Sequence, residues 1–154
     1  MSGIDIRPAV ESDCEQLSRL CEALWPEAGA AEHGWEIALI LAGKPIATLP
    51  LVIFVAANRA GVLTGFIEVG LRSHADGCDT ARAVGFVEGW FVLEAYRRKG
   101  IASRLLLAAE NWARQQGCRE MASDTWIDSD LSQRVHESLH FQVVDRCVHY
   151  RKAL

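Results

Sequence analysis

Apolar residues recur along this chain in two rhythms, one of period two and one of three to four, and their succession predicts an ordered set of strands and helices. Ile4 and Ile6 open a short strand through Arg7 that ends at Pro8. Leu17, Leu20, Cys21 and Leu24 then make one stripe of a helix. Ser12, with Glu15 three residues later, reads as its capping box. The helix stops near Trp25-Pro26, and a second is predicted over 32–41, closed by Gly43 and Pro45. Two β-rich runs follow, 51–57 and 62–72, joined by Asn58-Arg59-Ala60-Gly61 as an antiparallel hairpin.

A polar loop over 73–83 leads into an apolar strand over 84–93. After a compact turn, Ile101, Leu105, Ala108, Ala109 and Trp112 repeat at helical spacing, and Gly117 stands where a left-handed cap would stop them. A strand is predicted over 120–124, and a helix after Asp128-Ser129-Asp130 that runs to about His140. A closing strand is predicted over 141–150, apolar at Phe141, Val143, Val144, Cys147 and Val148. The crossover after the 84–93 strand makes it and the 120–124 strand parallel neighbours in an otherwise antiparallel sheet. The fold class is therefore α/β (α+β), a mixed, mostly antiparallel sheet flanked by helices.

With 154 residues and 50% hydrophobic content, the chain is expected to form one domain over 1–154. No apolar run reaches membrane length and no signal-peptide pattern opens the chain, so a soluble, cytoplasmic protein without membrane partners is expected. Cys14, Cys21, Cys78, Cys118 and Cys147 are scattered, with no zinc-type spacing. Reduced thiols and no metal are expected. The net charge is −4 and unevenly spread, for only Arg7 and Arg19 oppose eight carboxylates up to Glu36. That distribution speaks against nucleic acid and suits a cationic small molecule.

The segment 84–113 carries the most legible chemistry. Between its strand and its helix, Arg97, Arg98, Lys99 and Gly100 put three cations beside the unpaired amides of a helix N-terminus. This is a candidate phosphate site, with a plain basic capping turn as the alternative. Trp25, at the end of the first helix, either lines a cleft or joins the core.

These residues resemble a known family. Arg97-Arg98-Lys99-Gly100-Ile101-Ala102 is similar to the acyl-CoA-binding motif of the GNAT N-acetyltransferases, with Arg97, Gly100 and Ala102 in the motif positions. Ser138-Leu139-His140-Phe141 is similar to that family's closing Leu-Gly-Phe, with His140 replacing the Gly. Within the family the chain is most similar to aminoglycoside 6′-N-acetyltransferases. The likeness lies in Leu24-Trp25, in Val84 through Gly89, in Ala122-Ser123-Asp124, in His136 through Leu139 and in Asp145. The resemblance implies a GNAT fold, acetyl-CoA as co-substrate, an aminoglycoside as acceptor, antibiotic resistance and a homodimer.

It further implies that the backbone of Trp90, Phe91 and Val92 pairs with the pantetheine arm and that Arg98, Lys99, Gly100, Ile101, Ala102 and Ser103, with Arg97, cradle the pyrophosphate. Ser129 stands where an Asn often meets the coenzyme. Trp25, His74, Glu88, Asp124 and Asp145 are implied to line the acceptor site, His74 in a position usually held by Tyr. Forming an amide from a thioester requires a neutral amine, a polarised carbonyl and a proton for the thiolate. Either Asp124 or Glu88 could take the amine's proton, and the Val92 amide could polarise the carbonyl. His136, where the family often has a Tyr, either protonates the thiolate or only packs beside it. The competing readings are acetylation of a polyamine or a protein N-terminus, or a non-catalytic acyl-CoA-binding module.

Overall fold

The computed structural model describes residues 3–44 and 47–154. A sheet of five strands runs in chain order β1 (Asp5–Pro8), β2 (Leu51–Ala57), β3 (Leu63–Arg72), β4 (Val84–Val92) and β5 (Met121–Ser123). The first three pairings are antiparallel and β4–β5 is parallel. Helices α1 (Cys14–Leu24) and α2 (Ala30–Leu41) connect β1 to β2, α3 (Ile101–Gln115) makes the crossover from β4 to β5, and α4 (Asp130–Ser138) follows β5.

Alternation along the strands gives each face of the sheet its own apolar layer. Ile67, Val69, Val87 and Val92 meet Ile101, Leu105, Leu106 and Ala109 of α3 on one face. Ile53, Val55 and Phe66 meet Leu17, Leu20 and Cys21 of α1 and Ile37 of α2 on the other. Burial pushes the Cys21 thiol up to about 12, with Glu68 and Glu36 adding to the shift, so it is an inert core group.

Three expectations need correction. No strand forms over 141–150: the segment is irregular, and Val143, Val144 and Val148 are exposed. Its period-two pattern suits a strand, but a strand needs a neighbour with free backbone groups. None of the described residues pairs with this segment. Second, Ser12 does not cap α1. A short 3-10 turn over Glu11–Asp13 precedes the helix, and the Asp13 carboxylate accepts the Val10 N–H at 2.8 Å. Asp13 also binds Arg7 through two hydrogen bonds of 2.6 and 2.9 Å, and Ser12 lies inside the turn, which the chain enters at Val10, so its hydroxyl is not at a cap position. Third, the second helix starts earlier than 32, at Ala30. Pro45 lies outside the described residues.

Candidate active site

Two features of β4 create the site. At Glu68/Val69 the β3–β4 register shifts, so that Glu68 faces Gly89 while Val69 faces Val87, leaving Glu88 as an extra residue on a bulge. Moreover, β5 pairs with β4 only from Gly85 to Val87, ending at Ser123. Beyond Val87 one edge of β4 therefore has no strand beside it among the described residues. Leu93 donates its N–H to Thr64 across β3. Strand alternation then turns the backbone of Val92 and Trp90 toward the open edge. Arg97 Nε already donates to the Val92 carbonyl at 3.0 Å, which leaves the Val92 N–H and the backbone N–H and C=O of Trp90 as the groups that edge offers.

On the α1/α2 face the bulge gathers a cluster of carboxylates beside Trp25, called the acidic pocket below. Trp25 packs over Gly89 so closely that a Cβ there would overlap its ring, and Phe66 lies at 6.2 Å from it. Glu88 is held by Arg72 through hydrogen bonds of 3.0 and 2.8 Å, and the Arg72 guanidinium stacks 3.4 Å above the Phe86 ring. Asp124 is exposed and adds to the negative field that holds Arg72 charged. Glu68 reaches the same face through the alternation Phe66, Glu68, Gly70, and a Cβ on Gly70 would sit 3.8 Å from Glu88 Oε1. Burial, then repulsion from Glu88 and Glu36, pushes its carboxyl up to about 7.

At the far end of β4 the turn folds into an anion cradle. Arg98 and Gly100 both take left-handed backbone, at φ 59° and 74°. The α3 ladder starts with Arg104 N–H to Gly100 C=O at 3.1 Å, which leaves the amides of Ile101, Ala102 and Ser103 without helical acceptors. Arg98, Lys99 and Gly100 are exposed around them. Lys99 is steered by a bond to the Ala95 carbonyl at 2.8 Å and by the Tyr96 ring.

On the α3/α4 face, His136 is fixed on all sides. Its Nδ1 lies 2.7 Å from the Ser132 carbonyl and its Nε2 2.8 Å from Ser123 Oγ. Trp90 and Phe141 pack edge-on to the ring at 5.6 and 5.2 Å. The end of α4 holds this arrangement. Phe141 N–H bonds to His136 C=O and His140 N–H to Glu137 C=O, a Schellman closure with His140 itself left-handed at φ 69°. His140 thus takes the left-handed position that a Gly would fill.

A family model described as "Acetyltransferase (GNAT) family" matches residues 14–141. The chain belongs to the GNAT acetyltransferase family. Among curated relatives, the aminoglycoside N(6′)-acetyltransferase type 1 of Klebsiella aerogenes is 38% identical over 150 residues, covering 97% of this chain and 96% of that protein. The enzyme of the same name from Serratia marcescens is 42% identical over 133 residues, covering 86% and 87%. Among solved structures, AAC(6′)-Iy in complex with the bisubstrate analogue CoA-S-monomethyl-acetylneamine superposes with a TM-score of 0.88 at 36% identity, covering 99% of this chain and all of that one. AAC(6′)-Ih from Acinetobacter baumannii gives 0.86 at 30% identity, with 99% of each chain covered.

The open edge and the cradle of this acetyltransferase fit a long acyl-CoA. The cradle offers amides and cations to a pyrophosphate, and the indole N–H of Trp90 is buried with no acceptor among the described residues. Of the residues singled out from the sequence, the structure brings Trp25, Glu88 and Asp124 to one face of the bulge and His136 to the other. Ser129 stands at the N-terminus of α4, its amide bonded to the Trp126 carbonyl. His74 is exposed and bonded to Ser73 Oγ at 3.2 Å. Asp145 is exposed in the irregular C-terminal segment, which touches the 73–83 loop where Val144 packs on Gly77. His74 and Asp145 have no hydrogen bond to the pocket residues. Sequence reasoning passed over Glu68 and Arg72 and gave Ser123, named only within a family-like segment, no role of its own. A carboxylate inside the apolar run of β3 was the available signal for Glu68. The pairing of Arg72 with Glu88 depends on the bulge, which no local pattern shows. Among the described residues no group of three or more His, Cys, Asp or Glu is arranged to hold a metal.

Proposed function

We propose that this acetyltransferase transfers the acetyl group of acetyl-CoA to the 6′ primary amine of an aminoglycoside antibiotic by direct attack, and so confers resistance. The observation that carries the reading is the acidic pocket of Glu68, Glu88 and Asp124 around the bulge, next to the open edge of β4. A polycationic amine and a thioester could meet there. The names of the relatives point to the same acceptor.

The cradle from Arg98 to Ser103 receives the pyrophosphate, with Lys99 and Arg97 beside it, and Ser129 contacts the coenzyme from α4. The open edge from Trp90 through Phe91 to Val92 aligns the pantetheine arm, and the Trp90 N–H, rather than that of Val92 further from the end of β5, polarises the acyl carbonyl. Bound acetyl-CoA supplies an activated acyl group and a thiolate leaving group. Trp25, His74 and Asp145 line the acceptor site. Asp124 takes the proton of the incoming ammonium, while Glu88, held by Arg72, positions it; both favour the cation. His136 serves the departing sulfur.

The protein acts in the cytoplasm as a single-domain subunit of a homodimer. The described residues include no helix long and apolar enough to cross a membrane. The exposed valines of the unpaired 141–154 segment offer an edge to a second copy. The test is free thiol release from acetyl-CoA with tobramycin and kanamycin against spermidine and an N-terminal peptide. Release with the aminoglycosides above both controls supports the reading. Preference for spermidine or the peptide replaces the acceptor, and coenzyme binding without thiol release for any amine makes the protein a binding module.

A further inference from the structure

The amine that attacks the acetyl carbon must shed a second proton as the C–N bond forms, and the sulfur must gain one as the C–S bond breaks. The inference here rests on the acetyl-transfer reading and concerns that proton. Ser132 C=O can only accept, so the Nδ1 of His136, 2.7 Å away, carries the hydrogen. The Ser132 hydroxyl, at 3.4 Å, is a far weaker competitor for the same nitrogen. In the neutral ring Nε2 then bears the lone pair, and Ser123 Oγ–H, 2.8 Å away, donates to it. This fixes the Ser123 hydroxyl with its hydrogen toward the ring and its lone pairs outward.

Outward from Ser123 lies the gap where β4 and β5 part, since Val87↔Ser123 is the last pair of that ladder. Trp90, which touches the His136 ring, stands three residues further along the open edge. Both nitrogens of His136 are engaged, one with backbone and one with Ser123, so neither faces the gap. The hydroxyl does.

We propose that Ser123 is a catalytic residue, a two-way proton shuttle backed by His136, that moves the second proton of the reacting nitrogen to the departing sulfur. Ser123 Oγ takes a proton from the nitrogen as its own hydrogen passes to His136 Nε2, leaving a hydroxyl whose hydrogen faces the gap and an imidazolium that donates to Oγ. That hydroxyl hydrogen then goes to the thiolate, and the Nε2 proton returns to Oγ. The nitrogen has lost one proton, the sulfur has gained one, and Ser123 and His136 end as they began. The first proton, from the ammonium, leaves by Asp124. Because nitrogen and sulfur are attached to the same carbon during transfer, one hydroxyl reaches both.

The test has two arms. In the first, nitrogen NMR of the free protein with its imidazole neutral reads the tautomer. The shuttle requires the proton on Nδ1, and Ser123→Ala must shift the Nε2 resonance toward that of an unbonded ring nitrogen. A proton on Nε2, or no response to Ser123→Ala, overturns the proposal whatever the acceptor is. In the second, turnover is measured with the amine that the wild-type protein acetylates best. Ser123→Ala is expected to lose about 10²-fold in kcat with acetyl-CoA affinity unchanged within about twofold, the range of general acid-base assistance. Ser123→Thr, which keeps the hydroxyl, is expected to recover most of the rate. Wild-type turnover retained in Ser123→Ala, or no recovery in a folded Ser123→Thr, overturns the shuttle. Failure of aminoglycosides as acceptors, with Ser123→Ala still impaired on another amine, overturns the acceptor assignment alone.

Discussion

Burial and the nearby carboxylates of Glu88 and Glu36 hold the Glu68 carboxyl at about 7. In the unfolded chain it ionises at the ordinary carboxylate value of 4.5. Between these values the unfolded state binds fewer protons, so this residue makes stability fall as pH rises from 4.5 to about 7. Glu68→Gln is expected to flatten that fall and to be more stable than wild type above pH ~7, read as thermal midpoint against pH. Asp13 has the opposite sign. Its hydrogen bonds from Arg7 hold it below the ordinary 3.8, so its stabilisation is present above that value and lost as pH falls through the lower folded one. Asp13→Asn should remove that acid loss. Asp124 is exposed and its substitution should spare the fold. Asp124→Asn is expected to lower kcat about 10²-fold while acetyl-CoA binding holds. Unchanged turnover would take Asp124 out of the proton path. Asp124, Glu88 and His136 were legible by likeness to family segments. Glu68 was not singled out, for a carboxylate inside an apolar run marks the position but not the burial between layers that gives it its chemistry.

Elements supply the geometry that residues alone do not fix. The β4 bulge turns Glu88 and Gly89 toward Trp25, and Gly89 leaves the ring its place. Gly89→Ala should push Trp25 off the pocket, raising the KM for the amine while the affinity for acetyl-CoA, measured by calorimetry, stays near wild type. An equal loss in both would mean that the bulge serves the coenzyme edge instead. At the end of α4, His140 holds a left-handed conformation that costs a side chain roughly 1–2 kcal/mol. Part of that is offset in glycine by unfolded-state entropy. His140→Gly should therefore stabilise modestly, by about 0.5 kcal/mol, in denaturant unfolding. The strand-turn-helix of β4 and α3 was readable because β-branched residues, a Gly and helical spacing succeed one another over 84–113. The segment 141–150 misled because alternation reports the preference of a chain for extended backbone, not the presence of a neighbour to pair with.

At the scale of the molecule, the β2–β3 hairpin and the parallel β4–β5 pair followed from connection lengths and were legible, while the places of β1 beside β2 and of β3 beside β4 were not. The unequal lengths of the two strands were legible too; what no sequence pattern showed is their register, in which Val87 meets Ser123, so that β5 stops there while β4 runs on to Val92. That mismatch opens the edge and separates the acidic face from the His136 face, and the proposed mechanism places the thioester between them. The C-terminal segment carries exposed valines and borders the 73–83 loop, so the proposed dimer contact and the proposed rim of the acceptor site belong to the same region of the fold. The acidic pocket also predicts that affinity for a polycationic acceptor weakens with ionic strength, as exposed charges are screened over about 8 Å at physiological salt.

The measurement that bears most directly on the whole account is the product of an incubation with acetyl-CoA and tobramycin, with spermidine and an N-terminal peptide alongside. Thiol release that depends on the aminoglycoside and exceeds both controls, with a single acetyl group located by NMR on the 6′ nitrogen, is the predicted result. Thiol release only with spermidine or the peptide, or an acetyl group on another aminoglycoside nitrogen, would contradict it.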